Sequence, residues 1–265
     1  MPAFKRKLIA IDMDGTLLAE DYSLSPFSIE FLSSLSKQGH VIVLSSGRPP
    51  RSMMETYAEL SCSGPLICYN GAHVFAPSDP SFPVLKQAFP RAEAASVCKD
   101  LSLLLLGYQA EGERKIFRCN TGHELDAFFP EEGMEVKDGG LGSEGEDLYS
   151  VVFKEKIRND DAFRLILSHY PALSWRHWTG SPFSELHLPS VSKGNALSFV
   201  MEALGIAKED CFAFGDSDND FEMLSRVGHP FAMRNSKSTR LLSSFQRTEK
   251  GNSEDGVAFE LTKYF

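Results

Sequence analysis

The stretch Leu8-Ile9-Ala10-Ile11-Asp12-Met13-Asp14-Gly15-Thr16-Leu17-Leu18 decides how the chain reads. An apolar run ends in two carboxylates spaced i, i+2, followed by a glycine and a threonine. Side chains at i and i+2 of an extended segment point to the same side. Two acids therefore converge at a strand's C-terminal end, the edge along which open α/β sheets build their sites. Like charges this close repel unless a cation or a proton compensates them. The spacing predicts a metal site, a carboxylate nucleophile with an acid/base partner, or both.

Outward from that strand, Ser25–Gln38 reads as a helix with Ser25 as N-cap, Pro26 at N1 and Gly39 as its stop. Val41–Leu44 reads as a buried strand, Pro49–Leu60 as a second helix and Pro65–Tyr69 as a third strand. Strand–helix–strand–helix–strand is the pattern of a parallel sheet wound with helices. The pattern then changes. Short strands are expected at Ala72–Phe75 and Val84–Phe89, a helix at Pro90–Leu106 stopped by Gly107, and strands near Lys115–Cys119, Glu135–Lys137 and Tyr149–Lys154. A helix at Asn159–His169 and a hairpin, Ser174–Thr179 with Ser184–Leu188, complete an α+β insert. From Lys193 the wound pattern returns, with helices at Gly194–Leu204, Phe221–Val227 and Asp255–Tyr264 and strands at Cys211–Phe214 and Phe231–Met233. The expected fold is α/β: a Rossmann-like, doubly wound parallel-sheet core from residues 1–82 and 190–265, interrupted by an α+β domain at 83–189.

The bulk properties narrow the function classes. A chain of 265 residues is long enough for two domains, each with its own core. The net charge of −9 argues against nucleic acid and anionic membrane as partners. A phosphorylated substrate would then need a local cationic patch or a bound metal. The five cysteines are scattered, form no CxxC and sit mostly in apolar runs, so they read as reduced core thiols of a cytoplasmic protein. No window approaches the roughly 20 apolar residues of a membrane span.

Four short elements carry chemistry, each at the end of an apolar strand or the start of a helix: Asp12/Asp14, Ser45-Ser46-Gly47-Arg48, Ser192-Lys193-Gly194 and Gly215-Asp216-Ser217-Asp218-Asn219-Asp220. Taken singly they are a turn, a helix cap, a surface lysine and a solvated loop. Together, at one edge of a parallel sheet, they gather several carboxylates, a hydroxyl and an ammonium. Two unit charges about 4 Å apart interact by roughly 4 kcal/mol at an effective dielectric of 20. Lys193 alone could not hold such carboxylates against a phosphate dianion. A divalent cation is needed, and oxygen-rich sites of this kind select magnesium.

Asp-Met-Asp-Gly-Thr-Leu-Leu, a hydroxyl before Gly-Arg-Pro, Ser-Lys-Gly and Gly-Asp-Ser-Asp-Asn-Asp, in this order, resemble the four motifs of the haloacid dehalogenase-like phosphatases. The insert between the second and third motifs, with Ile67-Cys68-Tyr69-Asn70-Gly71-Ala72 before it, and the ending Asn252–Ala258 resemble the Cof-type branch, subfamily IIB, whose cap is of the C2B type. The resemblance implies a Mg2+-dependent phosphatase acting on small phosphorylated metabolites, often sugar phosphates. It implies that Asp12 is the nucleophile, forming an aspartyl-phosphate, and that Asp14 protonates the leaving alcohol and then activates water. Phosphate contacts would come from Met13, Ser46, Gly47, Lys193 and Asn219. Magnesium would be held by Asp12, Asp216 and the backbone carbonyl of Asp14, with Asp220, Arg48 and Asn70 in support. The family commonly has Ala-Met-Gly-Asn-Ala where this chain has Ala232-Met233-Arg234-Asn235-Ser236, which questions the tight turn there. The insert would choose the substrate, with Arg114, Arg118, Arg176, His177, Trp178 and His187 as polar side chains within it. A phosphomutase or phosphotransferase on the same core differs only in the acceptor. A non-catalytic phospho-accepting receiver domain fits less well, because it lacks an insert and the second acid two residues on. The partner is a small-molecule phosphate ester, with the chain as monomer or homodimer.

Overall fold

A computed structural model describes residues 4–178 and 180–265. The chain divides into two compact units, Met1–Leu85 with Ser192–Phe265, and Lys86–Val191. In chain order the elements are β1 (Leu8–Asp12), α1 (Pro26–Lys37), β2 (Val41–Ser45), α2 (Met54–Glu59), β3 (Leu66–Cys68), β4 (His73–Phe75) and β5 (Leu85–Lys86). Next come α3 (Arg91–Asp100), β6 (Leu105–Gly112), β7 (Lys115–Cys119), β8 (Glu135–Asp138), β9 (Leu148–Glu155), α4 (Asp160–Leu167), β10 (Ser174–His177) and β11 (Phe183–His187). The chain returns through α5 (Lys193–Leu204), β12 (Cys211–Gly215), α6 (Phe221–Ser225), β13 (His229–Ala232), α7 (Thr239–Ser244), β14 (Gln246–Arg247) and α8 (Gly256–Leu261).

The first unit is built on an eight-stranded sheet of order β14-β13-β12-β1-β2-β3-β4-β5. β1 lies between β12 and β2 and is parallel to both, in the register Asp12 opposite Ser45 and Ile11 opposite Phe214. Every residue of β1, β2 and β12 is buried, as expected of strands covered on both faces. On one face Leu8, Ala10, Val41, Val43 and Ala213 pack against Ala196, Leu197 and Val200 of α5 and Met223 and Leu224 of α6. On the other, α1 packs against β2 and α8. Period-two alternation then places Asp12 on the same side as Leu8 and Ala10, the side covered by α5.

The helix ends follow local chemistry. Ser25 caps α1 by accepting from the Ser28 amide, Pro26 opens it, and Gly39 closes it at φ 97°. Asp255 accepts from the hydroxyls of both Ser25 and Ser28 and so ties the start of α1 to the start of α8. In α5, Ser192 accepts from the Asn195 amide and Gly205 ends the helix at φ 63°.

The second unit holds a six-stranded sheet of order β10-β11-β9-β6-β7-β8, antiparallel except for β7–β8. Its core joins Ala94, Val97 and Leu101 of the α3 region and Phe163 and Leu167 of α4 to Ala110, Phe117, Val151, Phe153 and Leu186 of the sheet. Three expectations need correction. The helix expected over Pro90–Leu106 ends at Asp100, and from Leu105 the chain is already strand β6, with Gly107 inside it. Gly107 is therefore not a helix stop: a Cβ there would stand 2.3 Å from the Cys119 carbonyl oxygen, so it marks a close approach of β6 and β7. The helix expected over Pro49–Leu60 breaks into a tight turn at Pro50–Ser52 and α2. Thr179, expected at the end of a hairpin strand, lies outside the described residues. Among the described residues no helix is long and apolar enough to cross a membrane.

Candidate active site

The site lies within the first unit, where β1, β2 and β12 end side by side. Asp12 is the last residue of β1 and is 4% exposed. Its Oδ1 accepts from Lys193 Nζ at 2.5 Å, and the same ammonium donates to Asp220 Oδ1 at 2.6 Å. Lys193 is the first residue of α5 and 1% exposed, so a single buried cation bridges two buried carboxylates. The other oxygen of Asp220 accepts from the backbone amides of Asp216 and Ser217, at 3.0 Å each. Asp220 is thus fully engaged in fixing the turn after β12 and aiming Lys193.

Asp216 follows β12. Its carboxylate accepts from the hydroxyls of Ser217 (3.2 Å) and Thr16 (3.5 Å). The carboxylate oxygens of Asp12, Asp216 and Asp220 approach within 4.8 Å of one another. Gly15, at φ 76°, leaves room for this: a Cβ there would stand 2.6 Å from Asp216 Oδ2.

Asp14 takes a different partner. Both of its oxygens are held by Arg48, with Nε at 2.9 Å and Nη2 at 2.6 Å. Arg48 lies in the loop after β2 with its guanidinium over the Tyr22 ring. Ser46, 1% exposed, turns its hydroxyl back to accept from the Arg48 amide. Met13 is fully buried, and its carbonyl accepts from the Leu17 and Leu18 amides. Asn219 donates from Nδ2 to Asn70 Oδ1 at 2.9 Å, and Gly47 lies against the Asn70 amide.

Three residues that the sequence motifs do not single out complete the site. Thr16 reaches Asp216, Asn235 Nδ2 donates to the Gly15 carbonyl at 2.7 Å, and the Ser236 hydroxyl donates to the Asp216 carbonyl at 2.5 Å. The last two belong to the stretch that departs from the family pattern. Arg234 is not among the residues with positive φ, so the turn there does not require glycine, and its amide donates to Thr248 Oγ1.

The charges are not balanced by protein alone. Burial lifts the Asp12 carboxyl well above the usual carboxylate range, and Asp220 beside it adds to the rise. Burial likewise pushes Asp216 up to about 6, again with Asp220 contributing. Burial by itself would lower the Lys193 ammonium, but Asp12 and Asp220 outweigh it and carry it upward. Three carboxylates against one ammonium, all hard oxygen donors in one place, suit a hard divalent cation such as magnesium. The sign of the pH effect follows. Between about pH 4 and 6 folded Asp216 keeps a proton that the unfolded chain releases, so stability falls as pH rises through that window. The metal-free protein is expected to lose on the order of 3 kcal/mol from this group between pH 4 and 7. Adding Mg2+ at pH 7 should restore it. Thermal denaturation in EDTA at pH 5 and pH 7, then with Mg2+, checks this.

In the second unit five of the six polar side chains named from sequence have partners within it. Arg118 bridges Asp126 and Glu131. Arg176 pairs with Glu185, and His177 sits between Glu155 and Asp160. Trp178 stacks on Phe129, and His187 is bonded to the Leu188 carbonyl.

A profile of haloacid dehalogenase-like hydrolases matches residues 9–261. The 5-amino-6-(5-phospho-D-ribitylamino)uracil phosphatase of Bacillus subtilis is 32% identical over 275 residues, covering 98% of both chains. The HMP-PP phosphatase of Shigella boydii is 30% identical over 243 residues, covering 86% of this chain and 88% of its own. A haloacid dehalogenase-like hydrolase from Bacteroides thetaiotaomicron superposes with a TM-score of 0.80 at 22% identity, over 98% of this chain and all of that one. The chain therefore belongs to the haloacid dehalogenase-like hydrolases and is a phosphatase of that family, acting on phosphoric monoester bonds.

Proposed function

We propose that the chain is a magnesium-dependent phosphatase of small phosphorylated metabolites, sugar and polyol phosphates foremost, that works through an aspartyl-phosphate on Asp12. One observation carries the reading: Asp12 is a buried carboxylate at a strand end, held by a buried ammonium at 2.5 Å and adjoining Asp216. Asp12 Oδ attacks phosphorus, and the bond to the leaving oxygen breaks. Asp14 gives that oxygen its proton. In the second half Asp14 takes a proton from water, the water oxygen bonds to phosphorus, and the bond to Asp12 breaks. Because Arg48 holds both oxygens of Asp14, this carboxyl must leave Arg48 at one oxygen to carry the proton. Ser46, Lys193, Asn219 and the backbone of Met13 and Gly47 hold the phosphoryl oxygens. Asp12, Asp216 and the Asp14 carbonyl would hold the magnesium ion, which supplies charge neutralisation for the phosphoryl group.

The inserted unit, residues 83–189, would set which ester is accepted. The Bacillus relative is named for a phosphorylated ribityl chain on a pyrimidine. Its identity over nearly the whole of both chains favours phosphorylated polyols and sugars over larger substrates. The test is hydrolysis of p-nitrophenyl phosphate and of a panel of sugar and polyol phosphates, with Mg2+ and with EDTA. Turnover should fall to background in EDTA and return with Mg2+. Full turnover in EDTA defeats the magnesium reading.

A further inference from the structure

Directly after β3 the chain runs Tyr69, Asn70 and Gly71 at φ 50°, 56° and 109°. Two successive non-glycine residues in the left-handed region cost roughly 1–2 kcal/mol each, less for asparagine. Such strain persists only where the surroundings over-determine it. Here three separate parts of the site do so. The Tyr69 and Asn70 amides donate to the carbonyls of Arg48 (3.0 Å) and Ser46 (2.9 Å) in the loop after β2. Gly71 lies so close to the N-cap of α5 that a Cβ would stand 2.4 Å from the Ser192 carbonyl oxygen, one residue before Lys193. Asn70 Oδ1 accepts from Asn219 Nδ2 in the loop after β12, 149 residues away. The three atoms nearest a Cβ on Gly47 all belong to the Asn70 amide, with Nδ2 at 2.9 Å.

We propose that Asn70 is a positioning residue. Its Oδ1 takes one of the two amide protons of Asn219 and leaves the other in a fixed direction for a phosphoryl oxygen. Its left-handed backbone holds the Ser46 loop in register with the start of α5. Asparagine suits the position because it tolerates positive φ while offering the acceptor. The inference rests on the phosphate-binding roles proposed for Ser46 and Asn219.

Asn70→Gly removes the amide while keeping the backbone conformation accessible. KM for p-nitrophenyl phosphate and Ki for inorganic phosphate are expected to rise together by roughly 3- to 10-fold, the loss of one hydrogen bond. With binding lost equally from ground and transition states, kcat should move by less than about threefold. Asn219→Ala should give the same pattern, and the double variant should be no worse than either single one, because the two act as a unit. KM and Ki unchanged in Asn70→Gly while Asn219→Ala raises both would overturn the positioning role and leave the phosphate-binding reading intact. No change in Asn219→Ala would take down both. Additive effects in the double variant would also overturn it. If Asn70→Gly does not fold, Gly47→Ala presses a methyl group against the Asn70 amide and is expected to raise KM and Ki likewise; wild-type values there count against the proposal.

Discussion

Asp12→Asn will lower hydrolysis of p-nitrophenyl phosphate by about 10⁴-fold or more, the scale of losing a group that acts at the reacting atom. The same substitution will not destabilise the protein. Asparagine keeps the shape of the side chain and an oxygen to accept from Lys193 Nζ, which also retains Asp220. What it removes is a negative charge that burial and the Asp220 carboxylate both disfavour. In EDTA at pH 7 the thermal midpoint of Asp12→Asn should therefore equal or exceed that of the wild type. Activity and stability moving in opposite directions distinguishes a chemical role from a structural one. A variant with wild-type turnover would sink the nucleophile assignment. A variant that is inactive and much less stable would mean that Asp12 holds the fold rather than the phosphoryl group.

The same alternation that made Asp12 and Asp14 legible also explains what remained hidden. A strand of period two, ending in acids, reads directly from Leu8–Asp12, and the wound pattern around it gives the α/β class. The sequence order of the four motifs was visible because each is local. Partnerships between distant residues were not. Nothing in Asp14 or Arg48 announces that one grips the other across 34 residues. Arg234 and Ser236 stand where the family pattern has glycine and alanine, which questioned the turn there; yet the Asn235 and Ser236 side chains support Gly15 and Asp216. The missed strand β6 has a local cause. The leucine-rich run Leu101–Leu106 suits a helix as well as a strand, and Gly107 imitates a helix stop. The choice is made by pairing with β7 and β9, which no local window contains.

Lys193→Met will be the most destabilising single change at the site. Lys193 is buried with an ammonium between Asp12 and Asp220, and methionine fills a similar volume without charge. Removing one partner of a buried ion pair leaves the other uncompensated, at a cost of roughly 3–5 kcal/mol. Here two carboxylates are left facing each other, with Asp216 a third. The loss should therefore depend on what else neutralises them. It should be largest in EDTA at pH 7, smaller at pH 5 where Asp216 holds a proton, and smaller in Mg2+. It should also shrink in the Asp12→Asn background, a coupling that a cavity effect of methionine would not produce. Arginine should not rescue, since a planar fork cannot occupy the volume of a buried ammonium. Even when folded in Mg2+, Lys193→Met should lose about 10²–10³-fold in kcat/KM, the scale of removing one preorganised donor from a developing charge. Thermal denaturation across these conditions and steady-state kinetics in Mg2+ measure both effects. Destabilisation that ignores pH, metal and the Asp12→Asn background would show that Lys193 acts by packing, and the excess negative charge inferred from Asp12, Asp216 and Asp220 would be wrong.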